Sequence, residues 1–195
     1  MTKRHKIEYD AEKLRELVLH ISRQSEGDPC FGAVKLNKIL FYADFLAYRR
    51  FGQPITGAEY QKLEHGPAPR QLKPLHERMK REGAIAVRKA EFGGYTQHRT
   101  LALREPILGK FTSEEIALVD SVIKQFWGQN ASDVSDYSHR FIGWQFASLG
   151  ETIPYSLALL TRRDPTEKER QHGLKLEEAA QAALAPSRWR QPTAR

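Results

Sequence analysis

The segment around residues 32–50 constrains the fold most, because its apolar side chains predict a helix buried on two sides. One predicted face carries Leu36, Ile39, Leu40, Ala43, Leu46 and Ala47, and the other carries Phe41, Phe45 and Tyr48. A helix with apolar residues on two faces packs between neighbouring elements. Gly52 is placed to end this helix. The sequence therefore predicts a domain built around one central helix.

Apolar residues at helical spacing and capping signals predict the other helices. They are expected over 11–24 after Asp10, over 70–82, from the capping box Thr112-Ser113-Glu114-Glu115 onwards, over about 132–141 and 154–160, and from Asp164 to Leu184. For the helix that starts at the capping box, the predicted core positions are Ile116, Val119, Ile123, Phe126 and Trp127.

Three short strands are predicted among these helices. The first covers residues 59–63 and is expected to stop at Gly66-Pro67-Ala68-Pro69. The other two cover 84–92 and 100–104, around a turn at Gly93-Gly94-Tyr95. The predicted fold class is thus mainly α (α+β): a helical domain with a small antiparallel hairpin or three-strand element, in the order typical of a winged helix.

The net charge of +7 is distributed unevenly along the chain. Residues 1–6 and 186–195 together carry six Lys and Arg and no acid, and residues 62–104 carry ten Lys and Arg against four Glu. The remaining stretches are net acidic. A basic middle segment can steer a charged partner, but it does not identify one.

The sequence contains no pattern typical of a catalytic or metal site. None of the seven histidines has the spacing of a zinc protease, the single Cys30 excludes a zinc ribbon, and phosphate-binding and nucleophile-elbow patterns are absent. We therefore expect no catalytic residues, no metal and no cofactor. The lone cysteine, the lack of a signal peptide and the lack of an 18-residue apolar run predict a cytoplasmic protein that does not enter a membrane.

An ordered set of motifs resembles a known family. It comprises Lys-Leu-x-Lys-Ile-Leu-Phe-Tyr-Ala-Asp at 35–44, Gly52-Gln53-Pro54-Ile55-Thr56-Gly57, Tyr60 with Gly66-Pro67, a hairpin, Phe111-Thr-Ser-Glu-Glu, Ser138-His139 with Trp144, and Ile153-Pro154-Tyr155-Ser156. In order and spacing these motifs resemble the Panacea domain family, the SocA-like antitoxins, which include phage-associated proteins. The resemblance spans roughly residues 10–160.

The resemblance implies a bacterial or phage antitoxin that neutralises a cognate toxin by direct protein–protein contact, in part of the family also handing the toxin to a protease. The residues that match the family's recurrent positions are Lys38, Tyr42, Asp44, Tyr60, Gly66, Pro67, His139 and Trp144. They serve as structural or as contact positions, and the resemblance alone leaves that choice open. Basic and aromatic side chains suggest an additional partner-binding set: Arg70, Lys73, Lys80, Arg81 and Tyr95.

Two alternatives to a toxin-binding protein remain at the level of sequence. The winged-helix-like order and the basic segment 62–104 favour DNA as a second kind of partner, bound for autoregulation. A hydrolase or nuclease is the third reading, with no residue pattern in its support. The predicted domains are a basic N-terminal tail (1–9), the antitoxin-like domain (10–162), an additional C-terminal helix (163–185) and a basic disordered tail (186–195). The oligomeric state is not indicated by the sequence.

Overall fold

A computed structural model describes residues 6–92, 95–160 and 166–184. The chain divides into two compact units between Leu160 and Thr161. The first unit holds the helices α1 (Ala11–Gln24), α2 (Ala33–Phe51), α3 (Leu72–Arg81), α4 (Ser113–Phe126), α5 (Ala131–His139) and α6 (Ile142–Phe146), the strands β1 (Tyr60–Leu63), β2 (Gly66–Pro69), β3 (Ile85–Phe92) and β4 (Tyr95–Ala102), and a 3₁₀ helix (Tyr155–Leu159). The second unit contains α7 (Glu167–Leu184).

Helix α2 lies at the centre of the first unit, as its two apolar faces predict. It packs against α1, α4, α5, β2, β4 and the 3₁₀ helix. Leu36, Ile39, Leu40, Phe41 and Ala43 are at most 2% exposed. The helix ends where Gly52 adopts φ = 78°, the left-handed conformation that glycine adopts without steric cost. Every element that carries a motif residue is therefore placed by contact with this one helix or its immediate neighbours.

The ends of the other predicted helices follow from their caps. The Asp10 side chain accepts hydrogen bonds from the backbone N–H groups of Glu12 and Lys13, which starts α1. Thr112 and Glu115 form the predicted capping box at the start of α4. For α7 the structure describes the helix from Glu167, whereas Asp164 and Pro165 lie outside the described residues.

The first predicted strand does stop before Gly66-Pro67-Ala68-Pro69, since β1 ends at Leu63, but this segment was not expected to be a strand itself. It forms β2, which pairs with β1 in the register Tyr60↔Pro69, Gln61↔Ala68, Lys62↔Pro67 and Leu63↔Gly66. The Arg70 N–H donates to the Glu59 carbonyl, so Glu59 and Arg70 form a hydrogen-bonded pair. In an antiparallel ladder the next pair is then not hydrogen-bonded, and the two kinds of pair alternate along the strands. Both prolines consequently occupy non-hydrogen-bonded pairs, where the ladder needs no N–H donor.

The hairpin of β3 and β4 is longer than predicted. Strand β4 begins at Tyr95 instead of residue 100, because pairing runs from Ile85↔Ala102 to Phe92↔Tyr95. The turn residues Gly93 and Gly94 lie outside the described residues. The two pairs of strands form separate two-stranded sheets. The order of elements is that of a winged helix, but β1 pairs with β2 and, through Gln61, with Thr152 rather than with the hairpin.

Two local predictions need correction. Trp127 is 47% exposed instead of buried, because α4 ends at Phe126 and Trp127 lies in the turn that follows, with φ = −57° and ψ = 130°. The helix predicted over 132–141 is α5, which ends at His139, and the unpredicted α6 begins at Ile142 after the extended backbone of Phe141. The short helix predicted over 154–160 is present as the 3₁₀ helix Tyr155–Leu159.

The predicted fold class, mainly α with a small β component, is confirmed. Within the described parts of the chain, none of the helices combines the length and the apolar character that crossing a membrane requires.

Candidate functional site

Lys38 of α2 is buried beneath the β1–β2 hairpin. Its side chain is 2% exposed, and its ammonium donates to the Pro67 carbonyl at 3.1 Å. Burial disfavours the charged form and lowers the pKa of Lys38 to about 7. The structure thus brings Lys38 and Pro67 together, two of the residues predicted from the motifs, and places both inside the fold.

Gly66 lies where β2 passes directly over Lys38 and α5. A Cβ atom at this position would lie 2.2 Å from Ser138 Oγ and 2.7 Å from Lys38 Cε. The backbone also has φ = 95°, which side-chain-bearing residues rarely adopt. Ser138 is fully buried and donates to the Ser135 carbonyl at 2.7 Å. Glycine is therefore required here by contact and by conformation together.

Asp44 is the centre of a second buried cluster. Its carboxylate accepts hydrogen bonds from the Thr56 N–H (2.7 Å), the Thr56 hydroxyl (2.5 Å) and the Tyr60 hydroxyl (2.8 Å). Burial raises the pKa of Asp44, and the Thr56 and Tyr60 hydrogen bonds act in the opposite direction. The Tyr155 hydroxyl lies 3.4 Å from the same carboxylate and donates to the Ala58 carbonyl at 2.6 Å. This network ties α2 to the chain segment that leads into β1.

Tyr42 contributes to packing on the opposite side of α2. Its ring contacts Phe41, Phe126 and Tyr137 at centroid distances of 5.1–5.4 Å. Burial raises the pKa of its hydroxyl above the usual range. Aromatic contacts of this kind stabilise the junction of α2, α4 and α5.

His139 and Trp144 form a stacked pair at the edge of the same region. Their ring centroids are 4.0 Å apart with an interplanar angle of 16°. The Trp144 indole N–H donates to the Leu63 carbonyl at 3.1 Å, and Lys62 Nζ lies 4.2 Å from the Trp144 ring centroid, a cation–π contact.

The surroundings of the His139 imidazole lower its pKa. His139 Nε2 is buried and makes no hydrogen bond of ordinary geometry among the described residues, although the Glu64 backbone approaches the ring. Burial lowers the pKa of His139, and Lys38 lowers it further, while Asp136 acts in the opposite direction. Stacking of the pair therefore joins α5 to α6, and the Trp144 contacts with Leu63 and Lys62 join α6 to the end of β1.

Lys38, Ser138 and His139 carry groups that take part in catalysis in other proteins. Here Ser138 is fully buried and Lys38 is 2% exposed, whereas the His139 side chain is 29% exposed. Within the described residues, no group of three or more His, Cys, Asp or Glu side chains is arranged to hold a metal ion. The arrangement stabilises the hairpin against the helices.

The four basic residues proposed from the sequence are all exposed, and two of them contact acidic side chains. Arg70 donates to Glu59 at 3.0 Å and to the Gly150 carbonyl at 2.5 Å, and Lys80 pairs with Glu77 at 3.2 Å. Lys73 and Arg81 are exposed. Tyr95 begins β4, and its side chain lies outside what the structure describes.

A buried ion pair that sequence reasoning missed holds the loop between α1 and α2. Lys35 and Asp28 are 1% exposed each and lie 2.7 Å apart (Nζ to Oδ2). Arg99 of β4 donates to the carbonyls of Asp28 (2.7 Å) and Glu26 (2.8 Å). The available signal was the charged Lys35 at the start of a two-sided apolar helix, since a buried charge requires a partner.

Comparison with known families agrees with this geometry. Residues 36–145, more than half of the 195-residue chain, match the family described as antitoxin SocA-like, Panacea domain. The chain belongs to this family. No curated protein and no solved structure matches it. The matched range is narrower than the 10–160 expected from the motifs, and it leaves out all of α1 and the Ile153–Ser156 motif.

Membership of an antitoxin family suggests a binding role instead of a catalytic one, with a toxin as the kind of partner. All eight motif residues fall inside the matched range.

Proposed function

We propose that this protein neutralises a cognate protein toxin by binding it directly. The observation that carries the proposal is the match of residues 36–145 to the SocA-like antitoxin family. The match coincides with the part of the fold centred on α2, which includes both buried polar clusters.

The burial of the motif residues supports separate roles for the buried and the exposed residues of this domain. Asp44 is fully buried, Tyr60 is 1% exposed and Lys38 is 2% exposed, so these side chains are not available to a partner. Their role is to hold the β1–β2 hairpin, α5 and α6 on α2. Toxin binding then falls to the exposed residues that these elements present.

Delivery of the bound toxin to a protease is a second step that we include in the proposal. Helix α7 lies outside the matched range and exposes Leu174 and Leu176, which are 59% and 58% exposed. Exposed leucines offer apolar contacts to another protein, although Leu174 and Leu176 are two positions apart and lie on different faces of the helix. We assign the protease-recruiting role to this helix, separately from toxin binding.

Co-expression tests the proposal. The product of the gene adjacent to this one is induced in a bacterial host with and without this protein, and growth and co-purification are recorded. We expect growth to be restored and the two proteins to co-purify. The core variant Ile39→Asp, which places a charge at a fully buried position, serves as the unfolded control. Persistent toxicity without co-purification, in cells that contain the soluble wild-type protein, would contradict the proposal.

A further inference from the structure

The loop that follows α6 presents apolar side chains to solvent. Phe146 is 81% exposed and Leu149 is 72% exposed, and Leu63 at the end of β1 is 39% exposed. Single exposed apolar residues are common in soluble proteins. Several of them on neighbouring segments mark an interaction surface more often.

Hydrogen bonds place these residues beside one another. The Leu63 carbonyl accepts the indole N–H of Trp144, two residues before Phe146. Lys62 donates from Nζ to the Ala147 carbonyl at 2.9 Å, and its own carbonyl accepts the Gly150 N–H at 2.8 Å. Residues 144–150 therefore run alongside the end of β1. We name Leu63, Phe146 and Leu149 the β1–α6 patch.

The backbone that carries the patch is fixed, although its side chains are exposed. The Ser148 N–H donates to the Glu151 carboxylate at 2.7 Å, and Arg70 holds the Gly150 carbonyl at 2.5 Å. The loop is thus anchored at each side of Leu149. A surface whose conformation is already fixed loses little conformational entropy on binding, which favours affinity.

The charges around the patch indicate the chemistry of its partner. Lys62 contacts the Ala147 carbonyl and the Trp144 ring, and the exposed Arg140 follows His139, which stacks on Trp144. Neither Lys62 nor Arg140 forms an ion pair with a carboxylate among the described residues. Of the acids in the same region, Glu151 accepts the Ser148 N–H, Asp136 lies 4.0 Å from His139 Nδ1, and Glu64 follows Leu63 in the chain. An apolar centre beside unpaired cations is complementary to an apolar anchor flanked by carboxylates.

We propose that the β1–α6 patch is the surface that docks the toxin, and that the docked segment carries an aromatic or aliphatic anchor next to acidic residues. This inference rests on the proposed antitoxin function and adds the surface and the partner chemistry to it. Phe146 and Leu149 supply the apolar contact, and Arg140 meets the acidic flank.

The test measures binding of the purified product of the adjacent gene to full-length variants of this protein. The double variant Phe146→Ser/Leu149→Ser removes the centre of the patch. The matched control is Leu103→Ser/Ile107→Ser, because Leu103 and Ile107 are 57% and 67% exposed and belong to the connection between β4 and α4. All four positions are solvent-exposed, so both variants should fold, which circular dichroism verifies.

We expect Kd to rise about 30-fold or more for the patch variant, the loss typical of central interface residues, and by less than about threefold for the control. Arg140→Glu should weaken binding about 10-fold, with a smaller effect at high salt.

An unchanged Kd for the patch variant, or an equal loss in the control, would overturn the role of the patch in toxin docking while leaving the antitoxin function intact. Failure of the wild type to bind would overturn both. A concentration-dependent dimer that only the patch variant loses would assign the patch to a second copy of this chain and overturn toxin docking.

Discussion

Lys38 places an amine in the interior, where its protonation state depends on pH near neutrality. Among the described residues the amine makes one hydrogen bond, to the Pro67 carbonyl, whereas a solvated ammonium uses three donors. Burial lowers its pKa to about 7. In the unfolded chain the same amine has a pKa of about 10.4. Below about pH 10.4, the pKa of the unfolded chain, burial of this amine therefore lowers the free energy of unfolding.

The pH dependence of unfolding follows from these two pKa values. Between about pH 7 and 10 the unfolded state binds more protons at this residue, so the free energy of unfolding rises with pH, by at most about 1.4 kcal/mol per unit. Lys38→Met should remove this rise, which urea titrations from pH 7 to 9.5 measure. His139 does not titrate in this pH range, because its pKa is lowered from 6.5. The exposed Lys73→Met is the control and should keep the wild-type slope. Equal slopes in Lys38→Met and the wild type would show that the amine is not desolvated.

The roles of individual motif residues were beyond what the sequence could predict. The resemblance identified Lys38 and Asp44 but left open whether they support the fold or contact a partner. Their partners lie far along the chain: Pro67 is 29 residues from Lys38, and Thr56 is 12 residues from Asp44. Which side chains meet is decided by tertiary packing, and no local pattern records it. The exposed Phe146 and Leu149 were missed because apolar residues in a sequence are first assigned to a core.

At the scale of elements, periodicity and caps predicted structure well where one local signal dominated. Helices α1, α2 and α4 match the predictions because apolar spacing and capping residues agree. Strand β2 was missed because its two prolines argue against pairing. The observed register places both prolines where the ladder requires no N–H donor. The start of β4 was placed late because polar residues on an exposed hairpin carry no alternation signal.

The seating of the β1–β2 hairpin on α2 and α5 depends on Gly66, which gives a prediction at this scale. Gly66→Ala introduces a Cβ that overlaps Ser138 Oγ and Lys38, besides the cost of a positive φ. Gly83→Ala is a matched control, because Gly83 has φ = 69° and open space around it. We expect a loss of about 1 kcal/mol in the control and about 3 kcal/mol or more for Gly66→Ala. Chemical denaturation of both variants measures the difference, and equal losses would mean that the hairpin is not closely packed here.

For the molecule as a whole, the described hydrophobic core belongs entirely to the first unit. The core cluster is formed by residues between Leu14 and Ala158, and the family match ends at residue 145. In helix α7 of the second unit, Leu174 and Leu176 are more than half exposed. Part of the net positive charge lies outside the first unit, since residues 186–195 contain three Arg and no acid. Folding and toxin binding are thus expected from the first unit alone.

Deletion of residues 161–195 tests this expectation. Because no core residue between Leu14 and Ala158 is removed, the truncated protein should unfold within about 3 °C of the full chain, a change in stability below about 1 kcal/mol. Its Kd for the toxin should rise no more than about threefold, because the β1–α6 patch is retained.

If α7 recruits a protease, the toxin should persist longer in cells that contain the truncated protein while growth is still restored. Cells that express Leu174→Ser/Leu176→Ser in the full chain distinguish the helix surface from the tail, since this variant keeps residues 185–195. A truncated protein that fails to fold, or that no longer restores growth, would show that the first unit does not act by itself.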